Sequence, residues 1–287
     1  MTIELRHLRA FLAIADEGNV TRAAARLHLS QPALSRTLRQ LEDHLAARLV
    51  DRSTHHLELT AEGHTFRDKA RAALAAVETA LDPGGLKSWP LRLGHTWAAL
   101  GDHTIPLLRR WDETRPGIPL ELLRVDDRTA GLTQGKVDAA LLRGAVTSPG
   151  LRTQLLLSEE RVVVMPADSP LAALPRVTLA DVAAHRIALN TVSGTTTMDL
   201  WPPTARPVAT VDVTNTDEWL IAIAAGRAVG ISTSATPSNH THPALVYRPL
   251  ADAPPVPVVL AWREGLGHPA LPDLLALAHE VLAAGKG

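Results

Sequence analysis

The sequence predicts an α+β multidomain chain: an N-terminal winged helix-turn-helix, then a long linker helix, then a C-terminal α/β part. Three observations predict it. Residues 1–59 show short helical patterns around a tight break and end in a turn-rich stretch. Residues 60–82 carry one long helical pattern that the breaker Asp82-Pro83-Gly84-Gly85 stops. From residue 90 onward strand-like and helix-like segments alternate.

Each element has a local reason. Leu5, Leu8, Phe11 and Leu12 share one face of a first helix, Gly18 suits its end, and Asn19 suits the cap of the next. That second helix, Val20 to Leu27, buries Ala23, Ala24 and Leu27 before a break at His28-Leu29. Ser30 caps a third helix, and Pro32 is tolerated in its first turn, where no intrahelical donor is needed. Leu34, Leu38, Leu41 and Leu45 give this helix one apolar stripe, and Gln31, Ser35, Arg36 and Arg39 lie on the opposite face. No acidic residue stands between Gly18 and Leu41, whereas Arg22, Arg26, Arg36 and Arg39 do, so the second helix of the pair is polar and basic. Residues 48–59 read as a β-hairpin wing with Arg52, His55 and His56 near its tip. Thr60 caps the long helix, whose seam of Phe66, Ala70, Ala73, Leu74, Val77 and Leu81 calls for a partner helix.

In the C-terminal part, strands are expected at 91–97, 119–125, 137–142, 161–165, 186–189, 207–213, 228–232 and 255–262. Helices are expected over a segment that includes Ile105 to Trp111, then around Thr129 to Gln134, Thr178 to Ala184, Asp217 to Ala225 and Pro269 to Ala284.

Composition narrows the function classes. A length of 287 residues suggests about two domains, and 46% hydrophobic residues suffice for sizeable cores. A net charge of -1 does not advertise a nucleic-acid binder, but a whole-chain average can hide a local basic patch. The absence of cysteine excludes disulfides, thiolate metal sites, cysteine nucleophiles and thiol redox sensing. No secretory h-region and no run of about 18 apolar residues is present, so a cytoplasmic protein without a membrane partner is expected. All six tryptophans lie beyond residue 88 and both phenylalanines before it, in keeping with two differently built parts.

The N-terminal residues resemble those of LysR-type transcriptional regulators. The matching features are Phe11, the Thr21-Arg22-Ala23-Ala24 segment, Leu27, the block from Ser30 to Ser35, Leu38, Leu41-Glu42, Leu49, Arg52, and Leu59-Thr60 with Gly63. A looser similarity runs on through residues 91–97, 105–123, 135–144, 165–172 and 224–232. The resemblance implies a C-terminal effector-binding domain of two α/β lobes, of the type II periplasmic-binding-protein kind. It divides the chain into a DNA-binding domain at 1–59, a linker and dimerisation helix with hinge at 60–87, and an effector-binding domain at 88–287. Lobe one is then about 88–162 plus 249–287, and lobe two about 163–248. The chain departs from the family in three places. Ala46 stands where glycine is usual, at about 1–2 kcal/mol if a left-handed dihedral is kept. Val50 replaces a common aromatic, and Thr195 to Pro207 is short and unusual.

On this reading double-stranded DNA is the macromolecular partner. Gln31 suits a bidentate pair with adenine and Arg36 one with guanine or a phosphate clamp. Ser35 and Thr37 can donate to phosphate or base, Pro32 can pack on a thymine methyl, and Arg22, Arg39 and Arg52 suit phosphate contacts. The bland alternative for these residues is an ordinary solvated helix face. The effector cleft would lie between the lobes, at strand-to-helix junctions rich in free N–H groups and hydroxyls. Thr96, Trp97, Thr129, Ser193, Thr195 and Ser232 are its candidates, each hydroxyl having local capping as its plain alternative. A small, anionic molecule suits such a cleft. Assembly as a homodimer or homotetramer, and contact with RNA polymerase, are what the family implies.

The alternative from a different class is a small-molecule binding protein or enzyme on the same two-lobe scaffold. No GxSxG, GxGxxG, P-loop or HExxH motif is present, so no enzymatic turnover and no cofactor are expected. His240 with His242 reads as surface histidine in a polar loop, and His55 with His56 as a wing tip beside phosphate, neither as a metal pair. Asp126-Asp127 has no evident partner for acid–base work.

Overall fold

The computed structural model describes residues 3–51, 57–81, 89–265 and 267–285. They fall into two compact units, one built mainly from Met1–Lys87 and the other from Ser88–Leu132 and Val137–Gly287.

In the first unit, α1 (Leu5–Glu17), α2 (Val20–Arg26) and α3 (Gln31–Leu45) close around Phe11, Ile14, Ala23, Leu34, Leu38 and Leu41. The Asn19 side chain accepts the Thr21 and Arg22 N–H groups at 2.9 and 3.1 Å, and Ser30 accepts that of Ala33 at 3.4 Å. These caps fix where α2 and α3 begin, and His28, at φ 54°, makes the break between them. The buried face of α1 differs from the expected one. It is His7, Ala10, Phe11 and Ile14, whereas Leu5 is exposed and Leu8 and Leu12 sit at the margin. Small Ala10 and Ala13 let neighbours approach on two sides, so the face is set by how α1 is covered and not by its longest apolar side chains. The α3 stripe ends at Leu41, and Leu45 is exposed beside Ala46, which keeps the left-handed conformation at φ 50°.

The wing begins as β1 (Val50–Asp51) paired antiparallel with β2 (Glu58–Leu59), Val50 facing Leu59. Its expected tip residues Arg52, His55 and His56 lie outside the described residues, as does the breaker at 82–85. The buried Glu42 carboxylate accepts the Leu49 and Val50 N–H groups at 2.9 and 3.3 Å, which ties α3 to the wing. Thr60 caps α4 (Ala61–Leu81) through the Gly63 N–H at 2.9 Å. Phe66 meets Phe11 edge-on at 5.2 Å and Ala70 is buried. The later part of the expected seam is only partly covered: Leu74 and Val77 are half-buried, whereas Ala73 is exposed and Leu81 is 74% exposed.

The second unit runs β3 (Leu91–His95), α5 (Thr104–Thr114), β4 (Leu120–Arg124), β5 (Ala139–Arg143) and β6 (Leu151–Glu159). It passes through Glu160 into β7 (Arg161–Pro166), α6 (Leu179–Ala183), β8 (Arg186–Asn190), β9 (Ala209–Val213), α7 (Thr216–Ala224), β10 (Gly230–Thr233), α8 (Thr236–Asn239) and β11 (Leu245–Pro249). It returns as β12 (Val256–Arg263) and α9 (Leu271–Ala284). One lobe holds the five-stranded sheet β4-β3-β5-β12-β6, with β3 parallel to β4 and β5, and β12 antiparallel to β5 and β6. Its core gathers Leu91, Leu93, Trp111, Leu141, Leu260 and Leu274. The other lobe holds β10-β7-β11 and the parallel pair β8-β9, around Val163, Ile187, Trp201 and Ile231 on one side and Val164, Trp219 and Ile223 on the other.

The local structure departs from expectation in several places here. No helix forms at Thr129 to Gln134, which instead makes tight turns with Ala130 at φ 48°. Asp127 competes for the backbone: its carboxylate takes the Thr129 and Gly131 N–H groups at 2.7 and 2.9 Å. No helix opens at Thr96 either. Residues 96–100 bend through left-handed Ala98 and Ala99, and α5 starts only at Thr104. Strands β6 and β11 and the short helix α8 are elements that the residue pattern does not announce. The β6 run from Leu151 to Glu159 does not alternate, because it is the edge of its sheet and mostly exposed.

Candidate functional site

Helix α3 holds the first candidate surface. Its stripe of Leu34, Leu38 and Leu41 is buried, so the opposite side faces outward with Gln31, Pro32, Arg36 and Arg39 exposed. Gln31 Nε2 donates to Ser35 Oγ at 3.2 Å, which pre-orients two polar groups along the exposed face. Among the described residues Arg36 and Arg39 have no ion-pair partner. Thr37 is half-buried and donates its hydroxyl to the Ala33 carbonyl at 3.1 Å, so its outward capacity is as an acceptor. Arg22 is held back by α1: it donates to the Glu17 carbonyl and lies 3.7 Å from the Glu17 carboxylate.

The second candidate lies between the two lobes of the second unit. A cavity of about 360 Å³ is lined by Thr96, Arg128, 142–143 and 145–148 from one lobe and by 189–194 and 196–198 from the other. A smaller pocket of about 30 Å³ adjoins it, sharing Asn190, Gly194 and Thr196, and is walled by Trp97, Trp219, Thr195 and Ser232. Five of the six expected residues are therefore brought together: Thr96 and Ser193 in the larger cavity, Trp97, Thr195 and Ser232 in the smaller. Thr129 lines neither; its hydroxyl donates to Asp127 at 2.9 Å, 6% exposed, inside the turn that replaced the expected helix.

The lobe-two wall is built by Asn190. Its side-chain oxygen accepts the Val192 and Ser193 N–H groups, both at 3.0 Å, and its amide donates to Ser193 Oγ at 3.0 Å. A Cβ on Gly194 would stand 2.3 Å from the Asn190 carbonyl oxygen, so only glycine lets this turn close. Arg161, near the crossing between lobes, donates to the Thr195 carbonyl at 3.3 Å and to that of Pro254 at 2.9 Å. Ser232 bonds to Thr236 at 2.6 Å.

The lobe-one wall rests on a buried pair that the residue pattern did not announce. Arg143 and Glu159, 2% and 6% exposed, meet through two bonds of 2.9 and 2.7 Å. Arg143 also donates to the Trp97 and Ala99 carbonyls at 3.2 and 2.8 Å, and its guanidinium stacks 4.6 Å from the Trp97 ring centre. It thus clamps the left-handed 97–99 bend. From the other lobe, Thr233 donates to Glu159. Only spacing along two strands joined by the sheet, β5 and β6 through β12, could have hinted at this pair. Next to it, burial holds the His95 pKa below 6.5, aided by Arg124 and Arg143 and opposed by Asp126.

Two family models match this chain. Residues 5–64 match the bacterial regulatory helix-turn-helix protein of the lysR family, and residues 84–283 match the LysR substrate binding domain. The chain belongs to the LysR family. It is a LysR-type DNA-binding transcriptional regulator with an effector-binding domain. It is 31% identical to the Hca operon transcriptional activator HcaR of Escherichia coli strain K12, over 98% of this chain and 99% of that protein. It is 37% identical to the uncharacterized HTH-type transcriptional regulator YnfL of the same strain, over 64% of each chain. The fold of this LysR-type chain also matches the crystal structure of CbnR, a LysR family transcriptional regulator, with a TM-score of 0.65 and 22% identity, covering 98% and 99% of the two chains. Among the described residues no helix is long and apolar enough to cross a membrane, and no group of three or more metal-ligating residues stands together.

Proposed function

We propose that this regulator reads operator DNA with the exposed face of α3 and answers to a small molecule held between its two lobes. The carrying observation is the α3 face itself: Gln31, Pro32, Ser35 and Arg36 project from a rigidly capped helix whose other side is core. Gln31 and Arg36 are the base readers, Ser35 their neighbour at phosphate or base, Thr37 an acceptor for a base amino group while its proton stays on Ala33, and Arg22, Arg39 and Arg52 the phosphate contacts. Arg22 contributes only by exchanging Glu17 for phosphate. The working division is residues 1–59 for DNA, 60–87 for pairing and hinge, and 88–287 for the effector. The exposed Ala73 and Leu81, beside the half-buried Leu74 and Val77, support the role of α4 as the surface on which a second copy pairs, giving a homodimer or homotetramer.

Thr96, Trp97, Ser193, Thr195 and Ser232 surround the effector, which closes the lobes and shifts the population of subunit arrangements. The spacing or bend between bound half-sites then changes, and with it the access of RNA polymerase. Regulation without turnover is the whole activity, exercised in the cytoplasm where the DNA is.

The test is a fluorescence-anisotropy titration of the DNA immediately upstream of the protein's own gene, at two salt concentrations, against a scrambled duplex. Tight, salt-sensitive binding to the first duplex alone is expected. The double substitution Ser35→Ala with Arg36→Ala abolishes it while leaving the melting temperature of the chain unchanged; unchanged affinity for the specific duplex refutes the recognition face.

A further inference from the structure

Resting on the reading of the interlobe cavity as the effector site, we propose that Arg128 selects the effector by charge. The selected molecule is a small one bearing a single carboxylate on a partly apolar body. Among the described residues the lining carries two guanidinium groups, Arg128 and Arg143, and no carboxylate. Arg143 is spent, since Glu159 neutralises it through two short bonds. Arg128 has no ion-pair or hydrogen-bond partner among the described residues. Its acidic neighbours are turned to other work. Asp127 takes the Thr129 and Gly131 N–H groups and the Thr129 hydroxyl, and Asp126 pairs with Arg124 at 3.3 Å. The cavity therefore presents one uncompensated positive charge.

The rest of the lining sets what else the molecule is. Thr96, Thr147, Ser148 and Ser193 offer hydroxyls, which can donate to carboxylate oxygens, while Leu142, Val146, Leu189 and Met198 offer apolar surface. A guanidinium binds a carboxylate by two parallel N–H donors, a geometry that a neutral amide does not repay. Arg128 reaches this place because the 128–134 segment folds as tight turns. The turn anchored on Asp127 stands where a helix would have carried the side chain at another angle. A dianion would leave one charge unpaired against hydroxyls, and a cation would meet like charge.

Ligand-observed NMR on the full chain, with hexanoate and hexanamide at millimolar concentration as the probe pair, tests this. Hexanoate is expected to bind and hexanamide to bind at least about tenfold more weakly. Arg128→Gln, an exposed substitution that breaks no bond, equalises the two, and Arg128→Lys keeps the preference. Equal binding of acid and amide to the unsubstituted protein, or a preference that survives Arg128→Gln, overturns the proposal. So does a lack of binding by hexanoate. Thr96→Val and Ser193→Ala separate this from the parent reading. Binding that they weaken but that ignores Arg128 sinks only the charge assignment; binding that ignores all three places the probe outside the cleft and sinks both.

Discussion

Ala46 ends α3 with φ 50° and ψ 33°, a conformation in which Cβ crowds the following carbonyl. The backbone pattern of the turn persists, since its N–H still bonds to Asp43 and Glu42 carbonyls. Replacing it by glycine removes the crowding but loosens the unfolded chain, so Ala46→Gly is expected to stabilise the N-terminal unit by up to about 1 kcal/mol. Urea denaturation followed by helical circular dichroism checks this; a loss of stability refutes strain at Ala46. His95 supplies a second residue-scale expectation. Burial, then Arg124 and Arg143, lower its pKa from 6.5. The unfolded chain therefore takes up the proton first as pH falls. The stability linked to neutral His95 is complete above 6.5 and is lost progressively below it, down through the lowered folded value. His240 acts in the same direction, since burial and Arg124 lower its pKa against the pull of Asp217. Melting temperatures on either side of that value are expected to fall on acidification, and His95→Asn is expected to flatten the fall. An equal fall in both proteins refutes the role of His95.

Among the elements, β5 and β6 contribute the partners Arg143 and Glu159 and gain their meaning from β12, which lies between them in the sheet. Arg143→Ala leaves the Glu159 carboxylate buried with Thr233 as its remaining partner and frees the Trp97 and Ala99 carbonyls. A loss of about 3–5 kcal/mol is expected in the effector-binding unit, as for other buried pairs broken from one side. The combined replacement Arg143→Met with Glu159→Leu is expected to recover most of it, because no charge is then stranded. Equilibrium denaturation of the three proteins, read by tryptophan fluorescence, decides. Fluorescence reports this unit, since every tryptophan lies beyond residue 88. A single substitution costing under about 1 kcal/mol assigns the pair no more than a surface bridge.

At the scale of the whole molecule, the residues that match the helix-turn-helix model and those that match the substrate binding domain fall mainly in separate compact units. The substitutions that test them are accordingly expected to be separable. Ser35→Ala with Arg36→Ala removes DNA binding and leaves probe binding in the cleft; Thr96→Val does the reverse in the effector-free state. Anisotropy with operator DNA and ligand-observed NMR, run on both variants, check the expectation. A loss of both activities in either variant contradicts it.

The sequence alone determined what local chemistry determines. Asn19, Ser30 and Thr60 cap the helices that follow them, because a short polar side chain reaches backbone N–H groups within three residues. The apolar stripe of α3 likewise fixed which of its faces stays outside, and so the α3 residues of the candidate DNA surface could be named from spacing. The tertiary structure decided what depends on distant partners. Which face of α1 is buried followed from its coverage by other helices, and the nonalternating edge strand β6 became a strand by pairing with β12. Asp127 held as tight turns a segment whose pattern suited a helix, which withdrew Thr129 from the cavity and left Arg128 in it. The Arg143–Glu159 pair, sixteen residues apart, exists only because a third strand from the far end of the chain sets β5 and β6 on its two sides. Caps and stripes are read over one or two helical turns, whereas clamps and cavity walls are made by contacts that the linear order does not carry.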